Sequence, residues 1–271
     1  MKISSWLFGI ASALAGVFDF IWAEFEPAHQ PIQAWSDHIP GLAILSRIAA
    51  LWLILGGLAL LFRPAARIGA AALAILYAIF CLFPLPRVIS APHYLGHHPA
   101  VYIGVLVSVA QQLIVFIAAL LLWLFLAERH NSSRVTLLAR VLFGLCSIDF
   151  GLGHLTNVPG TAAMIPTWLP ISGSFWTVLT GIAFLLAGLA IITGILDVLA
   201  ARLFGLMLLV FSLVVLTPRV FAAPHNHVAW GADAYNLTAV AAALILSVWL
   251  EYSYDAGTKQ PMALSRQSAS A

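Results

Sequence analysis

The sequence predicts an all-α polytopic membrane bundle of about eight spans, built as two parallel four-helix repeats. Three observations predict it. First, 62% of the 271 residues are hydrophobic and only 8% are charged, against about 25% charged in an average soluble domain. A surface this poor in charge has to face lipid, and a mean hydropathy of +1.02 agrees. Second, apolar runs of roughly 20 residues, enough to cross about 30 Å of hydrocarbon, recur along the chain. Third, short segments recur in one order at nearly constant spacing.

The runs fall at residues 5–23, 42–62, 66–83, 101–126, 135–153, 175–196, 201–216 and 237–250, the last extendable back to Val228. Breakers lie between them: Pro64, then Pro84, Pro86 and Pro92, then Pro218 and Pro224, with Asn131-Ser132-Ser133 at the midpoint. Irregular backbone at membrane depth has to be shielded by protein or water, so the proline-bearing ends belong to the bundle interior or the interface. Beyond residue 252 the polar composition (Asp255, Lys259, Gln260, Arg266) reads as a disordered tail. The organisation is thus a first repeat over 1–130, a second over 131–252 and a tail over 253–271.

The repeat rests on four matches. Pro86-Arg87-Val88-Ile89-Ser90-Ala91-Pro92-His93 parallels Pro218-Arg219-Val220-Phe221-Ala222-Ala223-Pro224-His225, an offset of 218 − 86 = 132. Asp19-Phe20 parallels Asp149-Phe150 and Pro40 parallels Pro170, both at 130, and Gly57-Leu58-Ala59 parallels Gly188-Leu189-Ala190 at 131. Five residues beyond the aspartates stand Glu24 and His154. The repeat also decides how the chain begins. Lys2, an apolar run and Ala13-Leu14-Ala15 resemble a secretory signal with its cleavage site, but residues beyond that site match the end of the fifth helix, so the segment is a span.

With the amino terminus inside, Lys2, Arg63, Arg67, Arg129, Arg134, Arg140, Arg202, Lys259 and Arg266 fall at inner ends, and only Arg47, Arg87 and Arg219 fall at outer ends. That bias sets both termini in the cytoplasm. Four spans per repeat give both copies one orientation, unlike the inverted repeats of many transporters.

A net charge of +2 gives no reason to expect nucleic acid, and Cys81 and Cys146 form neither a disulfide framework nor a metal spacing. Eight of the nine histidines map to the outer side: His29, His38, His93, His97, His98, His154, His225 and His227, with His130 inner. The loop residues Glu26, His29, Asp37, His38, His97 and His98 read as ordinary wet loop. Asp19 and Asp149 differ, because they sit inside apolar helices, where a carboxylate is costly and faces the bundle with a partner. Arg87 follows Asp19 by 68 residues (87 − 19) and Arg219 follows Asp149 by 70 (219 − 149), which suggests the ion pairs Asp19–Arg87 and Asp149–Arg219. His93, His225 and His227 with His154 or Glu24 offer imidazole and carboxylate to a metal, or a hydrogen bond to a quinone carbonyl. Most tryptophans mark membrane faces. Trp168, within Met164-Ile165-Pro166-Thr167-Trp168-Leu169-Pro170, reads as part of a lid. Gly56, Gly57, Gly181, Gly188 and Gly194 read as helix packing.

Arg140-Val-Leu-Phe-Gly144, Phe150-Gly-Leu-Gly153-His154, Met164-Ile-Pro166-Thr-Trp168-Leu-Pro170 and Thr180-Gly181 resemble the DoxX-like family of small four-helix membrane proteins. The resemblance covers residues 135–250 and, more weakly, 5–126. It implies a link to membrane redox systems, including a quinone-reducing thiosulfate oxidase. The first copy departs from it, with Glu24 in place of the histidine and an acidic loop around Trp35. The expected function is a redox component of a bacterial inner membrane with a quinone pocket on the outer face and a partner protein as electron donor. Asp149, His154 and Arg219, with Asp19, Glu24 and Arg87 as counterparts, are its polar groups, and Trp168, His225 and His93 bind the cofactor. The alternatives are a histidine-based metal enzyme or metal-handling protein, and a non-catalytic scaffold or transporter.

Overall fold

The computed structural model of the chain describes residues 1–26, 29, 41–129 and 132–268, with side chains through Asp255. Trp35, Asp37, His38, Pro40, His130 and Asn131, and the side chains of Lys259, Gln260 and Arg266, lie outside the described residues. The elements are α1 (Lys2–Trp22), α2 (Leu42–Ala59), α3 (Ala66–Leu82), α4 (Arg87–Leu95), α5 (Pro99–Leu126), α6 (Ser133–Thr156), α7 (Val158–Ala162), α8 (Gly173–Thr193) and α9 (Asp197–Phe211). A π-helical turn (Ser212–Leu216), α10 (Thr217–Ala222) and α11 (His227–Ser268) complete it. Eight of these stretches are long and apolar enough to span: α1, α2, Ala66–Leu95, α5, α6, α8, Asp197–Ala222 and His227–Asp255. The described residues are helical without strands, as the composition predicts, and the chain is an all-α integral membrane protein.

Local chemistry sets the helix ends. Ser132 accepts from the Val135 amide at 3.4 Å and caps α6, and Ser172 accepts from Phe175 at 3.2 Å and caps α8. Pro99 opens α5, where its missing N–H would have no intrahelical partner. Gly194, at φ 79°, closes α8 in the left-handed conformation that glycine adopts without strain. That corrects its reading as a packing glycine. Two indoles fasten the turns before their helices: Trp176 donates to Pro170 O at 2.8 Å and Trp230 to Pro224 O at 3.0 Å.

In the last span 72% of the apolar window is buried, against 28% in α2 and α8. Thus α11 is the hub, packing on α1, α5 and α9, while α2 and α8 present their outer faces to lipid. Between helices in lipid, van der Waals packing replaces the hydrophobic drive, which favours small residues at the crossings. Two crossings are built alike. A methyl on Gly9 of α1 would lie 2.5 Å from Gly57 O of α2, and one on Gly16 would lie 2.6 Å from Ala50 O. A methyl on Gly144 of α6 would lie 2.8 Å from Gly188 O of α8, and one on Gly151 would lie 2.7 Å from Gly181 O. Each pair of crossings shares an offset: 144 − 9 and 151 − 16 are 135, and 188 − 57 and 181 − 50 are 131. In this register the buried Phe8, Ser12 and Ser46 fall opposite the buried Phe143, Ser147 and Thr177.

Candidate functional site

Between α5, α6, α8, α9 and α11 lies a cavity of about 310 Å³, lined mainly by apolar side chains. Phe150, Phe184 and Phe211 form its aromatic wall, and Met164 and Ile165 close it from the loop after α7. Six side chains bring most of its polarity: Glu26, Gln111, His154, Thr180, Tyr235 and Asn236. The π-helical turn supplies Val215 and Leu216 to the wall. Such wide turns are frequent at functional sites.

Each polar group is held by the helix backbone. His154 donates from Nδ1 to Phe150 O at 2.9 Å, which fixes the tautomer and makes Nε2 the acceptor of the neutral ring. The ring is flanked by Phe184, with centroids 5.1 Å apart, and by Phe211 at 6.3 Å. Thr180 donates to Trp176 O at 2.8 Å, and Tyr235 donates to Gln111 O at 2.9 Å. Asn236 uses its amide N–H groups on Leu208 O at 2.6 Å and Ser212 Oγ at 2.9 Å, which ties α11 to the start of the π turn.

At the corresponding place in the first half the described side chains bond one another. Asp19, 1% exposed, accepts from His227 Nε2 at 3.0 Å, pairs with His29 Nδ1 at 3.5 Å and accepts the Glu26 backbone N–H at 3.2 Å. His29 is buried and stacks on Phe80 with centroids 4.3 Å apart, and Phe25 packs edge-on to the same ring. Trp22 stacks on His227 at 5.4 Å, and the exposed Glu24 carboxylate lies 3.7 Å from His227 Nδ1. Burial works to lower the His29 pKa. The hydrogen bond to Asp19 and the charges of Asp19 and Glu26 outweigh it and hold His29 above the ordinary imidazole value.

The structure rearranges the expected site. Asp19 pairs with histidines rather than Arg87. Asp149 and Arg219 do not meet either: Asp149 Oδ2 is enclosed with no partner among the described residues, and Arg219 is exposed. The helix crossings explain this. Three residues beyond Gly16 stands Asp19 and three beyond Gly151 stands His154, so His154 is the positional counterpart of Asp19. At that offset Asp149 falls opposite Leu14 (149 − 14 = 135), five residues from the register of the Asp-Phe match. Of the expected residues, His154 alone lines the 310 Å³ cavity. Arg87 is buried and lines a neighbouring cavity of about 540 Å³, which shares Val107 and Thr161 with the first. His93 and His225 are exposed, and so is Trp168, while Met164 and Ile165 of the same loop reach the cavity. His29 and Glu26, read as wet loop, are buried. Among the described residues no three His, Cys, Asp or Glu side chains are arranged to hold a metal ion.

At the opposite end of the bundle Arg140 donates from Nε to Ile191 O at 3.0 Å and from Nη2 to Ile192 O at 2.9 Å, satisfying carbonyls at the end of α8. Asp197 lies 3.4 Å from the same guanidinium and accepts from Tyr254 OH at 2.6 Å. The counterparts at offsets 135 and 131 are Ser5 and Ala66, so only the second half carries this latch.

The walls contributed by α6, α8 and α9 belong to a recognisable unit. Residues 135–217 match the DoxX family model. The DoxX match contains His154, Thr180 and the three phenylalanines of the cavity, whereas Glu26, Gln111, Tyr235 and Asn236 lie outside it. The chain is thus an integral membrane protein in which residues 135–217 are similar to the DoxX family, as the motifs from Arg140 to Gly181 suggested. No curated protein and no solved structure matches the chain.

Proposed function

We propose that the chain is a redox-linked membrane component whose second half binds a quinone-class molecule. The observation that carries this is the cavity around His154. Its volume of about 310 Å³ lies at the lower end of ligand sites, and its mix of aromatic wall and few fixed polar groups is what such sites present. A single substituted ring fits, with His154 and Thr180 at its polar edge. The arginine and lysine distribution supports a bacterial inner-membrane orientation with both termini cytoplasmic and this site toward the outer face. The two similar helix crossings support an origin of residues 1–130 and 131–252 by duplication. The electrons come from a partner protein, since no nucleotide- or haem-binding motif occurs in the sequence.

The test is mass spectrometry of the protein purified in mild detergent. Quinone near one molecule per chain is expected, with loss in Ala232→Phe, which fills the cavity from α11. If wild-type protein carries none and takes up no added short-chain quinone, the reading is wrong.

A further inference from the structure

The hydrogens of most of the cavity's polar groups are already assigned, and this restricts what a ligand has to bring. Thr180 and Tyr235 spend their only hydroxyl hydrogens on backbone carbonyls. Asn236 spends its N–H groups on Leu208 O and Ser212 Oγ; the carbonyl partner admits only the nitrogen, so Oδ1 is left as acceptor. His154 spends Nδ1–H on Phe150 O and keeps Nε2 as acceptor. Against these four, the Gln111 amide and the Thr161 hydroxyl are the lining side chains whose hydrogens are uncommitted among the described residues. The cavity therefore presents an excess of acceptors within an aromatic enclosure.

We infer that the cavity selects a hydroxyl-bearing aromatic of the hydroquinone class over the corresponding quinone, because the ligand has to supply the donors that the walls have spent. This rests on the quinone-linked reading and gives it a direction. A quinone offers carbonyl acceptors, which would face His154 Nε2 and Asn236 Oδ1 unpaired, and an unpaired buried polar group is penalised more than a made bond is rewarded. A hydroquinone meets the same atoms with two O–H groups. Tighter binding of the reduced form raises the potential of the bound couple, by about 30 mV for each tenfold preference in a two-electron couple. The site thus favours holding quinol.

The experiment is anaerobic titration calorimetry on the full chain in detergent with three probes: tetramethylhydroquinone, tetramethylbenzoquinone and the dimethyl ether of the hydroquinone. The expected result is hydroquinone binding at least about tenfold tighter than the other two, the effect of one to two net hydrogen bonds. His154→Phe, which keeps a ring and removes an acceptor, should shrink that preference to within about threefold. Thr180→Val serves the same purpose should the first variant not fold. Quinone or ether binding as tightly as the hydroquinone overturns this inference and leaves the quinone-class pocket standing. Binding of none of the three overturns the quinone-class reading itself.

Discussion

The two halves of the chain cross their first helices in the same way and then treat the space beyond the crossing in opposite ways. In the first half a carboxylate at that depth, Asp19, is enclosed by His227 and His29, and the loop residues Phe25 and His29 occupy the interior against Phe80. In the second half His154 takes the equivalent position, bonds only its own helix among the described residues, and borders an open cavity. The spacing from Gly16 to Ala50 is 34 residues and from Gly151 to Gly181 it is 30. A buried polar group completed by its own chain acts as a fastener, and one whose surroundings are left open is available to a ligand.

The sharpest way to break that comparison is to treat the two aspartates alike. Asp19→Leu strands two buried histidines and the Glu26 amide and should lower stability by about 3–5 kcal/mol. Asp149→Leu removes an unpartnered carboxylate oxygen and should be neutral or stabilising. Thermal unfolding in detergent separates them, and equal losses would restore the equivalence that the Asp-Phe match suggests. Next in size is the latch: Arg140→Leu leaves Asp197 buried and the end of α8 uncapped, at a cost of about 3 kcal/mol by the same measurement. The two crossings should respond together, with Gly57→Val and Gly188→Val each costing about 1–3 kcal/mol through overpacking. If only one is sensitive, the crossings are not alike.

Filling the open half should cost least. Ala232→Leu is expected to change stability by less than about 1 kcal/mol, since it extends into free space, yet it should abolish ligand uptake. The smallest effect concerns pH. The folded-state pKa of His29 is raised, so its contribution is complete below about pH 6.5 and is lost as pH rises through the raised value. Chemical unfolding between about pH 5 and pH 9 should show this decline in wild type and not in Asp19→Asn.

Hydropathy made the spans legible because lipid imposes one requirement along the whole helix. The expected run at 42–62 became Leu42–Ala59 and that at 101–126 became Pro99–Leu126, shifts of two or three residues at an end. The site was less legible. His154 stood out as an ionisable group in an apolar run, but its partner set did not, because hydrogen bonds to backbone carbonyls leave no mark in composition. Asn236 and Tyr235 passed as ordinary helix residues for that reason, and Thr180 entered only through the Thr180-Gly181 motif. The register was present in the text all the same: Gly9, Ser12 and Gly16 repeat the spacing of Gly144, Ser147 and Gly151, and the next polar residues are Asp19 and His154. Small residues at a crossing carry more positional information than an Asp-Phe pair, since backbone contact tolerates no slippage. His29 was hidden by its neighbours, whose polarity marks them as loop and says nothing of a ring turned inward.

The π-helical turn at Ser212–Leu216 has a further consequence. Six residues separate Phe80 from Pro86 and seven separate Phe211 from Pro218, so the second half carries one residue more on the stretch that contains this turn. An α-helix advances about 100° per residue, and an unabsorbed insertion would swing everything beyond it away from its neighbours. The wide turn takes up that residue on the spot, in the wall of the cavity itself. A change of a single codon is then enough to alter the bore of the pocket without adding a loop or unseating the spans on either side. The length of one helix, rather than its composition, then sets the width of that space.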